Sequence, residues 1–180
     1  MRNKFSEVIE IPEGIKCDVN GVKLECSKGD QRISRDVRFQ DAIISVKGNT
    51  INIDSAKANK KTIATLKAFA AHIRNMFAGL ETKFVYEMEI CNVHFPMTVK
   101  HEGNKFIINN FLGEKEKRIA KILPSVDVEI KGVKIIISSS NIEAAGQTAA
   151  NIEKATNVPK RDRRVFQDGI FITSKCGRPI

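Results

Sequence analysis

The chain has no tryptophan, one tyrosine (Tyr86) and ten scattered phenylalanines. Proteins that read single-stranded nucleic acid stack bases on exposed aromatic platforms, and few residues here suit that role. Any RNA contact should therefore go mainly to phosphate, sugar and groove shape. Among Cys17, Cys26, Cys91 and Cys176 there is no CxxC pair, and His72, His94 and His101 do not join them at zinc spacing. A structural zinc site is thus not expected. Cys17 and Cys26 can face each other across a hairpin, but nothing marks the chain as secreted, so they read as reduced core thiols. The first fifteen residues carry Arg2, Lys4, Glu7, Glu10 and Glu13, which is no signal-peptide apolar region. The longest strongly apolar run, Val133 to Ile137, is interrupted by Lys134 and is far too short to span a membrane.

Catalytic motifs are missing too. There is no GxxxxGK[ST] loop, GxGxxG, GxSxG elbow or HExxH pair. The segment Asn110 to Arg118, NFLGEKEKR, has one glycine and a run of charges, too little glycine for a backbone phosphate cradle. Glu87 and Glu89 lie at strand spacing and point the same way, as a charged surface face does. His94 and His101 have no acid nearby at triad-like spacing and read as ordinary histidines. These absences predict a protein that is not an enzyme, with no cofactor, no metal and no small-molecule substrate.

Apolar residues make up 42 % of the 180-residue chain, enough to bury a core. Self-similarity organises them. Ile44 to Ile53 reads ISVKGNTINI and Val128 to Ile137 reads VEIKGVKIII, each an apolar alternation on both sides of Lys-Gly, the pattern of a hairpin. Upstream, VNGVKLEC (Val19 to Cys26) resembles HEGNKFII (His101 to Ile108), with Gly21 matching Gly103 and Lys23 matching Lys105. Each hairpin leads into a helical pattern. The first predicted helix runs from Lys60 to Ala78, with Ile63, Leu66, Ala70, Ile73 and Phe77 on one stripe and Gly79 as its stop. Its opposite face carries Lys60, Lys67 and Arg74. The second runs from Asn141 to Thr156, with Ser140 and Glu143 as a capping box and Pro159 beyond its end. The expectation is an α+β fold of two similar domains by internal duplication, residues 1–80 and 81–180, each a small, mostly antiparallel sheet packed with one helix.

The net charge of +9 favours an anionic partner such as nucleic acid, although a lysine-rich solvated surface has the same balance. The charge is uneven. Residues 1–80 carry 14 basic and 9 acidic residues, residues 81–159 carry 10 of each, and residues 160–180 carry 6 and 2. In that last stretch, KRDRRVFQDGIFITSKCGRPI, the cations Lys160, Arg161, Arg163 and Arg164 repel one another, a cost that an anionic partner would relieve. Val165, Phe166, Ile170, Phe171 and Ile172 follow and should anchor part of this tail on the body. An anchored cluster loses less ordering entropy on binding than a free one, and arginine suits bidentate phosphate contact.

NFLGEKEKR (Asn110 to Arg118), GQTAANIE (Gly146 to Glu153) and RDRRVFQDGIFI (Arg161 to Ile172) resemble signature stretches of the universal large-subunit ribosomal protein L-six family, in its archaeal and eukaryotic form. The opening IEIPEGI (Ile9 to Ile15) looks like that family's N-terminus, and the resemblance covers essentially the whole chain. It implies two similar α+β domains, and binding to large-subunit ribosomal RNA near the sarcin–ricin stem-loop and the base of the stalk. It also implies that the C-terminal half and its tail make most of the contact. Carried over by motif, the RNA-binding candidates are Lys115, Lys117 and Arg118 in the loop and Lys160, Arg161, Arg163 and Arg164 in the tail. Gln147 and Asn151, on one helix face, either reach RNA or pair with neighbouring backbone. Neighbouring ribosomal proteins are the other expected partners, and the cytoplasm the expected location. The alternatives are a small RNA-processing enzyme docking substrate on its tail and a protein-interaction module.

Overall fold

The computed structural model describes residues 3–37, 39, 42–162 and 164–180. Of the candidate residues, Arg163 lies outside these. The chain divides into two compact units, residues 1–82 and 83–180.

The first unit comprises β1 (Asn3–Glu10), β2 (Lys16–Asn20), β3 (Lys23–Lys28), β4 (Gln31–Asp36), β5 (Ile43–Lys47), β6 (Thr50–Ala58) and α1 (Lys60–Glu81). Strands β2, β3 and β4 form one three-stranded antiparallel sheet, and β1, β6 and β5 form another, with β6 in the middle. Strand alternation builds the core: Ile51 and Ile53 of β6 and Leu24 and Cys26 of β3 are buried, and they meet Leu66, Ala70 and Ile73 of α1. Each of these leucine and isoleucine side chains contributes about 1.5–3 kcal/mol on burial. Cys17 and Cys26 are register partners across β2 and β3 and are free thiols. Gly21 opens the two-residue β2–β3 turn at a φ of +61°, a conformation that a β-carbon would strain.

Helix α1 does not stop at Gly79 but continues to Glu81. Leu80 is buried against the same core as Ile73 and Phe77, and that contact outweighs the cost of about 1 kcal/mol for a glycine inside a helix. On its outer face Arg74 pairs with Glu7 of β1, Nη2 to Oε1 at 2.6 Å.

The second unit comprises β7 (Phe84–Cys91), β8 (Thr98–Glu102), β9 (Lys105–Asn109), a 3-10 turn (Phe111–Gly113), β10 (Arg118–Lys121), β11 (Asp127–Lys131), β12 (Lys134–Ser139), α2 (Ile142–Ala155), β13 (Gly169–Lys175) and β14 (Arg178–Pro179). Taken in order, β7 to β12 and α2 correspond to β1 to β6 and α1. Strands β8, β9 and β10 form a three-stranded antiparallel sheet, and β7, β12 and β11 pair as β1, β6 and β5 do. The architecture is α+β.

What the second unit adds is β13 and β14. Strand β13 pairs antiparallel with β7 and makes the sheet five-stranded, in the order β11-β12-β7-β13-β14. The stretch expected to be an anchored tail is therefore half sheet. Ile170 is fully buried in the core with Met88, Ile135, Ile137 and Ile152. Among the described residues between α2 and β13, 157–162 and 164–167 are mostly exposed, while Thr156 and Asp168 at the two ends are buried. The cap of α2 also differs from expectation. Asn141, not Ser140, is the N-cap, and its Oδ1 accepts from the backbone N–H groups of Glu143 and Ala144. Asparagine serves because its carbonyl oxygen reaches two otherwise unpaired donors of the first turn.

Candidate nucleic-acid interface

Three segments of the second unit meet along one edge: the turn between β7 and β8, the loop between β9 and β10, and the 156–168 segment. Their junction is a carboxylate. Asp168, 1 % exposed at its side chain, accepts from the backbone N–H groups of Val93 (2.8 Å) and His94 (2.9 Å) through Oδ1, and its Oδ2 lies 2.5 Å from Nδ1 of His94. Burial works against the charged carboxylate, but these donors outweigh it and pull the group down to about 2. The sequence offered no sign of this bond, because its partners lie 74 residues apart. The reading of His94 as lacking an acid is corrected by chain topology, since β13 runs beside β7 and delivers Asp168 to the end of that strand.

The imidazole of His94 stacks on Phe166, with ring centroids 5.1 Å apart and planes at 21°. The guanidinium of Arg161 lies over the same phenyl ring, 4.6 Å from its centroid, within cation–π range. Arg161 is exposed and has no ion pair or hydrogen bond among the described residues, so a planar cation is held in place with its donors open to solvent. Asp162 shapes the backbone here: its Oδ1 accepts from Arg164 N–H, and its carbonyl from Val165 and Phe166 N–H. Lys160 sits at a φ of +61°. Lys160, Arg161 and Arg164 are all exposed.

The β9–β10 loop owes its sequence to its conformation. Asn110 takes a left-handed backbone and donates from Nδ2 to the carbonyl of Pro96. Phe111 is fully buried. Gly113, at a φ of +76°, lies beneath the ring of Phe95, the residue next to His94. Arg118 then closes the loop. Its Nε and Nη2 bind the two carboxylate oxygens of Glu114, and its Nη1 donates to the carbonyls of Ala155 and Asn157 at 2.9 and 3.1 Å. The guanidinium also covers the Phe111 ring at 4.2 Å. Four of its five N–H donors are thereby engaged, and the carbonyl of Ala155, the last residue of α2, gains a partner that helix geometry denies it. Arg118 holds the carboxyl of Glu114 below its ordinary range. Lys115 and Lys117, on the same loop, are exposed and have no partner among the described residues.

The stretch GQTAANIE also faces inward for the most part. Gly146 passes close to Tyr86, whose hydroxyl would lie 3.1 Å from any β-carbon there. Thr148 is buried and accepts from Leu123 N–H. Gln147 donates to Asn151 Oδ1, and Asn151 donates to the carbonyl of Lys121, so of the two alternatives for this pair the bond to neighbouring backbone is present. Phe95, Phe166, His94 and Asp168 were not among the sequence candidates. FQDG was part of a quoted motif, but spacing alone gives its aspartate no role. Among the described residues no cluster could hold a metal ion, and no helix is long and apolar enough to cross a membrane.

Comparison with known proteins agrees with the motifs. The family model described as Ribosomal protein L6 matches residues 95–169, which includes the β9–β10 loop, α2 and the 156–168 segment. Over nearly their full lengths the chain is similar to proteins named large ribosomal subunit protein uL6. It is 42 % identical to that of Aeropyrum pernix over 92 % of each chain. With that of Methanocella arvoryzae the identity is 43 %, over 93 % of this chain and 96 % of the relative. With that of Methanococcus vannielii it is 41 %, over 97 % and 96 %.

Proposed function

The chain belongs to the ribosomal protein L6 family, a structural rather than enzymatic family, and on that premise we propose that it is a constituent of the large ribosomal subunit that holds large-subunit ribosomal RNA by its backbone. The contact surface in this reading is the edge of the second unit, and the region bound lies near the sarcin–ricin stem-loop and the factor-binding site, as the family resemblance implies. Neighbouring ribosomal proteins are the other partners, and the cytoplasm is the compartment.

The observation that carries the reading is the contrast between two kinds of cation along this edge. Arg118 is spent on the protein, engaged by Glu114 and by the carbonyls of Ala155 and Asn157. Lys115, Lys117, Lys160, Arg161 and Arg164 are exposed and unpaired among the described residues, on loops that Arg118, Asp162 and Asp168 hold in shape. Arg163, which belongs to the same run in the sequence, is included in the proposal. Cations kept in register without internal partners suit phosphates at fixed spacing. Gln147 and Asn151 support α2 against β10 in this scheme.

The test is salt-dependent binding of the full chain to deproteinised large-subunit RNA. Each phosphate contact removed lowers the slope of log affinity against log salt by roughly 0.7–0.9. The pair Arg161→Ala and Arg164→Ala should therefore flatten it by about 1.4 to 1.8. Unchanged affinity and slope would refute the assignment.

A further inference from the structure

A cavity of about 410 Å³ opens beside this edge, between the C-terminal end of α2 and the start of β13. Its lining includes Glu153, Lys154, Asn157, Phe166 and Phe171. The volume is in the range of ligand pockets, and the family reading gives it no role. Two aromatic rings flank it, and both are held. Phe166 is braced by His94 and Arg161. The Phe171 ring lies across Gly169, so close that a β-carbon there would come within 2.8 Å of it. The polar groups are of mixed kind: the carboxylates of Glu153 and Asp168, an ammonium, a hydroxyl and an amide, and the Asp168 carboxylate is already taken up by Val93 and His94. Glu153 accepts from Ile172 N–H through Oε1 at 3.4 Å, and its Oε2 has no partner among the described residues.

We propose that this pocket receives one unpaired nucleobase of the bound RNA, with an amino group of the base donating to Glu153. The proposal rests on the RNA-binding reading above and deepens it. A carboxylate in the lining disfavours a phosphate inside the pocket but suits a base edge that carries an N–H₂ donor, as acidic side chains suit the amino group of cytosine. Flanking rings suit an unstacked base, the form in which RNA sequence is usually read. Lys154, and Arg161 above Phe166, are placed to meet the backbone that carries the base.

The test uses the ¹⁵N-labelled full chain titrated with CMP, UMP, ribose 5-phosphate and inorganic phosphate. CMP and UMP differ in the amino or carbonyl group at one ring position. CMP should give saturable amide shifts at Ala150 to Val158 and Phe166 to Phe171, with roughly ten-fold tighter binding than UMP. The two ligands without a base should leave these amides unmoved. Glu153→Gln, which keeps an acceptor for Ile172, should abolish the preference for CMP. Equal shifts with ribose 5-phosphate and CMP would reduce the pocket to general electrostatics and overturn the proposal. So would the absence of saturable shifts with either nucleotide, which would leave a protein segment as the occupant. Binding to large-subunit RNA is measured on the same samples. If it is intact while the pocket is silent, only the pocket assignment fails; if it too is absent, the RNA-binding reading fails with it.

Discussion

Replacing Asp168 by asparagine changes one atom at the junction of the edge proposed to bind RNA, and its effect can be worked out. The carboxylate has a native value of about 2 against an ordinary 3.8. At about 1.4 kcal/mol per unit, the difference is worth roughly 2 kcal/mol of folding stability. Because the folded value is the depressed one, this stability is fully present above pH 3.8 and drains away as pH falls toward 2. Near pH 3 about half should remain. Asparagine keeps one oxygen for the N–H groups of Val93 and His94 but turns an amide nitrogen toward the imidazole, so the charge-assisted part is lost. If the chain unfolds as one cooperative unit, the loss at pH 7 corresponds to a drop in Tm of about 4–8 °C for a protein of this size.

The assay is urea denaturation of the wild-type chain and Asp168→Asn at pH 7, 5, 3.5 and 2.5. The other acids titrate in both proteins and cancel in the difference. The gap should be constant between pH 7 and 5, then close progressively. A gap below 0.5 kcal/mol at pH 7, or one that stays constant down to pH 2.5, would show that the carboxylate is not held as described. A consequence for binding follows: with His94 and Phe166 loosened, Arg161 loses its support. Asp168→Asn should therefore weaken RNA affinity while leaving most of the salt slope in place, since no phosphate-binding cation has been removed.

Three further substitutions test the frame behind the surface. Arg118→Lys retains the charge but cannot serve two carboxylate oxygens and two carbonyls together, and it should cost about 1–3 kcal/mol in denaturation; an unchanged midpoint would mean that the guanidinium network is not formed in solution. Asn141→Ala should lower stability by about 1 kcal/mol while Ser140→Ala has little effect, and the reverse order would restore the capping box that the sequence suggests.

How much of this could be read from the sequence depended on the range of the interaction. The four strands of the repeated hairpins and both helices follow from alternation, Lys-Gly turns and 3.6-residue stripes, all of which act within a few residues. Errors arose where a distant contact overrode a local signal. Gly79 reads as a stop, but buried Leu80 carries α1 past it. Ser140 reads as a cap, but Ser139 Oγ bonds the Ser125 carbonyl and also accepts from Asn141 N–H, so the backbone arrives with Asn141 at the cap. Gly169 to Lys175 reads as the end of a basic tail because its neighbours are charged, yet its apolar residues match β7 across the sheet. The candidate site divides in the same way. Exposed cations announce themselves by clustering in the sequence. The groups that aim them (Asp168 on His94, Phe166 under Arg161, Arg118 on the end of α2) are dispersed and carry no local pattern. A charge census can therefore find where the cations cluster, but only the fold shows which of them are left free for an anionic partner. Arg118 and Arg161 look equivalent in the sequence: one is used up by the protein, and the other is held open by it.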